Sequence, residues 1–439
     1  MKNIILFFVV YFGLNSILIS QQTYFPPLTG NDWETLLPEN LGWNIDEINE
    51  LYKFLDEKNS KSFILLKDGK IVLEKYFDNF TKDSNWYWAS AGKTLTSAIV
   101  GIAQEEGFLS INDKTSKYLA EGWTSCPKDK EDLITIRHQL TMTTGLDFKV
   151  EDLDCTEPVC LKYKADAGTQ WYYHNAAYTL LDKVIENATN KNFNLYFAQK
   201  IRNRIGMNGL WIKIDYNNTY FSTARSMARY GLLISNNGYW ENDDIIKDKN
   251  YLNLMINTSQ DLNKSYGYLW WLNGKESSMI PGSTIVFDRM LMPDAPMDAF
   301  AALGKDGQCL NISPTKGLIW VRMGERPDDQ FFISSNFSND VWQYLNKIIN
   351  GGTSVNESES KVKISPNPAS EYIEISKPSE GFEPSEGFEI KIYNTFGECL
   401  MIESIHPMTS SHRMNIKHLP IGLYFIQIGN YSQKFLVVR

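Results

Sequence analysis

The sequence predicts an α+β chain: one antiparallel sheet covered by helices, followed by a small C-terminal β-sandwich. Three observations predict it. Strand-like pairs stand at both ends of the region from about Gln22 to Asn350, and helical stretches fill the middle. Short alternating strands then follow a polar linker.

The first strand pair is SFILLKDGKIVLEKYF, two apolar runs around Asp68-Gly69, a dipeptide that favours a tight hairpin turn. Helices are expected at Ala89–Glu106, Ala176–Glu186 and Ala224–Ser235. The late stretch AFAALGKDGQCLNISPTKGLIWVRMG reads as two strands around a Pro-Thr-Lys-Gly turn. Hairpins at both ends with helices between predict a sheet closed by its first and last strands. Residues 351–361, GGTSVNESESK, are polar, lack large side chains and read as a linker. Beyond it, ISPNPASEYIEI, FEIKIYNTFGECLMIES and IGLYFIQIGNYSQKFLVV alternate as sandwich strands do. Inside them PSEGFE occurs twice, at Pro378–Glu383 and Pro384–Glu389, which reads as a slipped loop insertion.

At 439 residues, 43% hydrophobic and 22% charged, the chain has material for two globular domains. Aromatics reach 13%, which points to well-packed cores, with a stacking surface for a sugar or polymer as the alternative. A net charge of −9 and the lack of any Lys/Arg-rich run argue against a nucleic-acid partner. The N-terminus, MKNIILFFVVYFGLNSILISQQ, has one lysine, an apolar run and a polar end, and reads as a secretory signal peptide over 1–20. Leu18 is not small at the −3 position, so an uncleaved anchor is the alternative. No later apolar stretch is long enough to span a bilayer, and no cysteine near the cleavage site suggests a lipid anchor. Of five cysteines, Cys155 and Cys160 can close a small loop, with Cys126 a competing partner. Their spacing fits no zinc site, so no metal or other cofactor is expected.

The chemistry starts at Ser90 and Lys93 in WYWASAGKTLTSAIVGIAQEEG, three apart where a buried helix begins. Residues at that spacing share a helix face, so the amine reaches the hydroxyl. A serine needs an adjacent base, and burial lowers a lysine's pKa enough to supply one. The same spacing recurs at Ser313/Lys316, Ser358/Lys361 and Ser360/Lys363, none of which opens an apolar helix. A Ser-His-Asp hydrolase of the nucleophile-elbow type is excluded by the absence of G-x-S-x-G. The catalytic region holds only His138 and His174, and His138 reads as structural. Tyr173 stands at a loop-to-helix junction, where its phenol can relay a proton if nearby cations lower its pKa, and Asn175 follows as a candidate helix cap. Lys305-Asp306-Gly307 stands at the head of a late strand, where Lys305 suits a carboxylate and Gly307 lets substrate approach.

In this order and setting, the three motifs resemble the serine β-lactamase and penicillin-binding-protein superfamily. The likeness is greatest to the class C branch and its secreted esterase, D-amino-acid peptidase and aminohexanoate-oligomer hydrolase relatives. EEGFLSINDKTSKYL, ITIRHQLTMTTGL and FSTARSMARYGLLISNNGYW are similar to that family's connecting segments. The resemblance implies a β-lactamase/transpeptidase-like fold over 22–350, with an all-helical subdomain beside the sheet. It implies Ser90 as acylated nucleophile, Lys93 as general base and Tyr173 as proton relay. Asn175 would contact the substrate, Lys305 would orient it and stabilise the phenolate, and the Ser90 and Gln308 backbone N–H groups would form the oxyanion hole.

Two positions depart from the family pattern. Asp306 replaces a hydroxyl residue; strand alternation points it outward, whereas an inward Asp306 would offset Lys305 and disfavour an anionic β-lactam. His174 replaces a small residue and reads as packing or specificity. The C-terminal segment 362–439, through SPNPASEYIEI, KIYNTFGE and NIKHLPIGLYFIQIGNYSQKFLVV, resembles the type IX secretion sorting domain of Bacteroidetes. That implies the type IX machinery as partner and a secreted or cell-surface location. Together these readings describe a secreted serine hydrolase of an ester or amide. A β-lactamase or D-Ala-D-Ala carboxypeptidase, and a catalytically silent binding protein on the same fold, are the alternatives.

Overall fold

The computed structural model describes residues 23–327, 333–351, 363–376, 388–394, 399–405, 411–428 and 431–439. The expected signal peptide and most of both the linker and the PSEGFE repeat lie outside the described residues. The chain divides into two units, Met1–Thr353 and Ser354–Arg439.

The first unit is built on a six-stranded sheet of β1 (Ser60–Lys67), β2 (Lys70–Tyr76), β3 (Trp271–Leu272), β4 (Phe300–Leu303), β5 (Cys309–Ser313) and β6 (Leu318–Gly324). Their order is β2-β1-β6-β5-β4-β3, and every neighbouring pair is antiparallel. First strand therefore pairs with last: Ile64 stands opposite Val321, and Leu65 opposite Trp320. The late stretch holds three strands where two were expected. The missed one, β4, is four residues buried throughout, so it shows no alternation for a sequence pattern to catch.

There are four longer helices, α1 (Asp46–Glu57), α2 (Lys93–Glu105), α3 (Ala224–Ser235) and α4 (Ser334–Gly351), of which α1, α3 and α4 pack on the sheet. Alternation along β5 and β6 assigns the faces. Asn311 and its partner Trp320 meet α4: Asn311 Oδ1 accepts from Ser338 Oγ and Trp342 Nε1, and the Trp320 and Trp342 rings lie 6.2 Å apart. Leu310 and Ile319 point the other way, toward α3, where a Cβ on Gly231 would fall 2.7 Å from a Leu310 methyl. With both faces covered, the strands read as apolar runs.

α2 is buried from Lys93 to Ala103 and packs against short helices between Ser116 and Lys200. These form a helical layer beside the sheet, partly centred on Trp123, Ile134, Leu146 and Leu161. The expected Ala176–Glu186 helix is two, Asn175–Thr179 and Leu181–Thr189.

An N-terminal strap runs along β2. Tyr24 N–H donates to Asp68 O at 3.0 Å, Leu36 N–H to Ile71 O at 2.8 Å and Ile71 N–H to Glu34 O at 2.9 Å. Gly69, at φ +87°, must be glycine, because a Cβ would sit 1.9 Å from the Tyr24 carbonyl oxygen.

The second unit holds two small antiparallel sheets, as the alternating pattern predicts. One contains Lys363–Ser365, Tyr372–Ser376 and Ser411–Asn415; the other contains Phe388–Tyr393, Cys399–Ile405, Gly422–Ile428 and Tyr431–Val437. Ile373, Ile375, Ile390, Ile392, Ile426 and Phe435 are among its core residues.

Candidate active site

Ser90 lies in a 3-10 turn, Ala89–Gly92, that leads directly into α2. Ala89 takes φ +47°, a left-handed conformation that is strained for a residue with a Cβ and bends the chain sharply ahead of the serine. Lys93, the first residue of α2, points its Nζ to Ser90 Oγ at 3.0 Å. The lysine is 3% exposed, and burial pushes its amine down to about 7, with the Asp154 carboxylate pulling the other way. It is also held over two aromatic faces, 4.0 Å from the Tyr178 ring centre and 5.1 Å from that of Tyr173.

Tyr173 and Asn175 come from the helical side. The Tyr173 ring stacks on Trp271 of β3 at 5.7 Å and stands edge-on to Tyr266 at 6.3 Å. Burial pushes its phenol above the ordinary range, while hydrogen bonding to Ser90 pulls it back. The condition of lowering by cations is not met: no cation contributes to its shift, and Tyr173 is a neutral phenol near neutral pH. Asn175 is not the cap of its helix but its first residue, with His174 at the cap position, and its Oδ1 is buried with no hydrogen-bond partner.

Ser90, Tyr173, Asn175 and Lys305 all line one cleft of about 380 Å³. Leu153, Trp271, Ile280, Leu291, Leu303 and Ile333 supply apolar wall, and Asp306 and Arg326 add charge.

The Lys305-Asp306-Gly307 segment differs from its sequence reading. It is a 3-10 turn between β4 and β5, not the head of a strand, with Asp306 at φ +61°. Strand alternation does not apply there, and Asp306 lines the cleft instead of pointing outward. Its carboxylate accepts from Tyr87 Oη at 2.7 Å. Gly307 is buried behind the turn, and Gln308 is fully buried, its N–H directed to Lys305 O at 3.5 Å. The Gln308 side chain bonds both ways to Gly324, donating to its oxygen at 2.7 Å and accepting from its N–H at 3.1 Å. Neither Gly307 nor Gln308 reaches the cleft wall.

The residue that closes against the serine loop is Gly304, which lines the cleft. A Cβ there would lie 2.5 Å from the Trp88 carbonyl oxygen and 3.2 Å from Ala89 Cβ. Its place in L-G-K-D-G-Q was visible, but only the turn geometry tells its role from that of Gly307. Arg322 was also missed. It is fully buried on β6, donating to the carbonyls of Asp306, Gly307, Lys58 and Glu325 and to Ser60 Oγ, and it stacks over Phe337 at 5.1 Å.

Neither histidine of this unit lines the cleft. His138 forms a capping box with Thr135. His174 is 2% exposed, and burial pushes its imidazole down to about 4. Cys155 and Cys160 form a disulfide; Cys126, Cys309 and Cys399 are free. Among the described residues no cluster of His, Cys, Asp and Glu is arranged to hold a metal ion, and no helix is long and apolar enough to cross a membrane.

A family model described as Beta-lactamase matches residues 58–335, and one described as Secretion system C-terminal sorting domain matches 363–438. An uncharacterised protein of Alkalihalophilus pseudofirmus is 22% identical over 317 residues, 64% of this chain and 86% of the relative. Among solved structures, a provisionally named 6-aminohexanoate-dimer hydrolase from Bacillus anthracis superposes with a TM-score of 0.56 at 20% identity, covering 75% of this chain and 91% of its own. A Yersinia pestis β-lactamase/D-alanine carboxypeptidase gives 0.51 at 16%, covering 71% and 99%. Those likenesses speak for the fold. With the family model spanning more than half of its residues, the chain belongs to the Beta-lactamase family and carries a C-terminal secretion-system sorting domain.

Proposed function

We propose that this protein is an exported serine hydrolase that cleaves an ester or amide through an acyl-enzyme on Ser90. The observation that carries the reading is the 3.0 Å contact between Ser90 Oγ and a buried Lys93 whose amine is held near neutrality. Neutral Lys93 takes the proton of Ser90 as its oxygen attacks the substrate carbonyl. Tyr173, a protonated phenol beside the same oxygen, passes a proton toward the leaving group and helps position the hydrolytic water. Asn175, with its unpartnered Oδ1, accepts from the substrate amide or hydroxyl.

The oxyanion donors are the backbone N–H groups of Ser90 and Lys305. Each sits in the first turn of a 3-10 segment, where an N–H has no carbonyl of its own segment to bond. Gly304 brings the second turn against the first. Lys305, on the exposed rim, orients the substrate. The signal at 1–20 and the sorting domain at 363–438 together support passage through the periplasm to the cell surface or beyond.

A β-lactamase or D-Ala-D-Ala carboxypeptidase is the second reading, favoured by the Lys305 and Arg326 cations at the cleft. Asp306, between them in sequence and on the same wall, weighs against an anionic substrate.

The test is fluorophosphonate labelling of wild type and Ser90→Ala, followed by hydrolysis of short-chain esters, nitrocefin and D-amino-acid amides. Labelling confined to wild type, with ester or amide turnover, is expected. Equal labelling of Ser90→Ala removes Ser90 as nucleophile, and nitrocefin turnover matching the best ester promotes the second reading.

A further inference from the structure

The segment before the disulfide carries a carboxylate with no assigned task. Leu153 lines the cleft, and its carbonyl accepts from Ala176 N–H at 2.9 Å, which seats this segment on the corner that presents Tyr173 and Asn175. Asp154 follows, with Oδ1 sealed from solvent and without a hydrogen-bond partner. Its backbone N–H donates to Asp152 Oδ1 at 2.8 Å, and the next residue, Cys155, is buried and bridged to Cys160. A turn on one side and a covalent loop on the other thus hold the carboxylate in place.

A buried, unsatisfied carboxylate oxygen is costly unless a cation shares its surroundings. Asp154 is near enough to act electrostatically on Lys93, Tyr173, His174 and Tyr178. Resting on the Ser90 acylation reading, we propose that Asp154 is the counter-ion for the ammonium that Lys93 becomes when it takes the serine proton. Asp154 touches neither nucleophile nor leaving group, so it is a positioning residue. It acts by making the buried amine a stronger base and by stabilising the charge that acylation creates. The step balances: Ser90 loses a proton to Lys93 as its oxygen bonds to the acyl carbon, the bond from that carbon to the leaving oxygen or nitrogen breaks, and the proton passes from Lys93 through Tyr173 to the departing alcohol or amine.

Of the groups around the pair, Asp182 alone is shifted into the range of a pH test. His174 is pushed down to about 4 by burial and stays neutral; Tyr173 and Tyr178 are pushed up and stay protonated. The backbone and the carboxylate of Asp147 act on His174. Asp182, which burial pushes up to about 6, acts on Tyr178 and not on Lys93, so the limb near 7 reports Lys93 and a step near 6 that Asp182→Asn removes reports Asp182.

The experiment measures the second-order rate of fluorophosphonate labelling from pH 5.5 to 9 on the full chain, for wild type, Asp154→Asn, Asp154→Glu and Ser90→Ala, with a melting curve for each. Asp154 raises the Lys93 pKa, so its loss moves the acid limb about one pH unit lower and lowers the plateau severalfold. Asp154→Glu keeps the charge and holds the limb near the wild-type position. A merely structural role slows labelling with the limb unmoved. An Asp154→Asn limb coincident with wild type overturns the inference; if that variant does not fold, a Glu variant whose limb falls by a full unit does so. Labelling of Ser90→Ala at the wild-type rate overturns the acylation reading itself, which separates the two failures.

Discussion

The Tyr87 hydroxyl donates to the Asp306 carboxylate across 2.7 Å, tying the two-residue strand Trp86–Tyr87, just ahead of Ser90, to the turn that lines the cleft. Burial and that acidic partner both push the Tyr87 phenol above its ordinary range, so the bond persists at neutral pH with Tyr87 as donor. The site thus keeps a negative charge beside the Lys305 and Arg326 cations.

Removing that charge should change which substrates enter. Asp306→Asn keeps the hydrogen bond and deletes the repulsion, so kcat/KM for anionic nitrocefin should rise severalfold relative to a neutral short-chain ester. Parallel assays of both substrates check it; an unchanged ratio means that Asp306 does not read substrate charge.

Lys93 should cost stability where it supports turnover. Its folded pKa, about 7, lies below the ordinary 10.5, so between those values the unfolded chain binds the extra proton and stability rises with pH. Below about 7 both states are protonated and the full penalty applies. Lys93→Met should therefore abolish turnover yet stabilise the fold at pH 7 by on the order of a few kcal/mol. Melting curves from pH 6 to 9 should show that advantage shrinking as pH rises.

A backbone N–H can be deleted without touching the side-chain question. Gly304 is extended, at φ −118° and ψ 160°, which is the conformation a following proline needs, and Lys305 is the first residue of its turn. Lys305→Pro should therefore fold but lose roughly 10²- to 10³-fold in kcat, as loss of one oxyanion donor typically does. Lys305→Ala retains the N–H and should change KM more than kcat. Equal losses in the two variants would place the role in the amine.

Arg322 fixes that turn from behind. Burial pushes its guanidinium down to about 10, and its bonds run chiefly to carbonyls that have no water to replace it. Arg322→Lys cannot span the same set, so it should lose about 3 kcal/mol or more of stability and lower kcat with little change in KM. Thermal melts and steady-state kinetics on one preparation test both halves.

The legible part of the site is the part written in short-range spacing. Ser90 with Lys93, and Tyr173 with Asn175, stand where helices begin, and a helix start shows in the sequence as the onset of apolar periodicity. Closure of the sheet by β1 and β6 was legible from hairpin signals at both ends of the region. The Lys305–Gln308 segment was not, because a turn and a strand head share the same Lys-Asp-Gly letters and differ only in the Asp306 backbone angle. Asp154 was illegible for another reason: its position follows from a disulfide loop and one carbonyl contact, neither of which has a local pattern. Arg322 was hidden because arginine in a strand normally marks a solvent face, whereas here carbonyl oxygens from four residues pay for its burial.

The strap along β2 has a consequence for how copies of this protein meet. An outermost strand offers unpaired N–H and C=O groups on which another chain can template a new strand. Here the bonds of Ile71 to Glu34 and Leu36, with Trp33 Nε1 donating to Gly69 O at 2.7 Å, occupy that margin, while at the opposite margin β3 is only two residues long. A version of the chain shortened past Leu36 would keep its catalytic residues but expose a sticky border, and aggregation would limit its use before chemistry did.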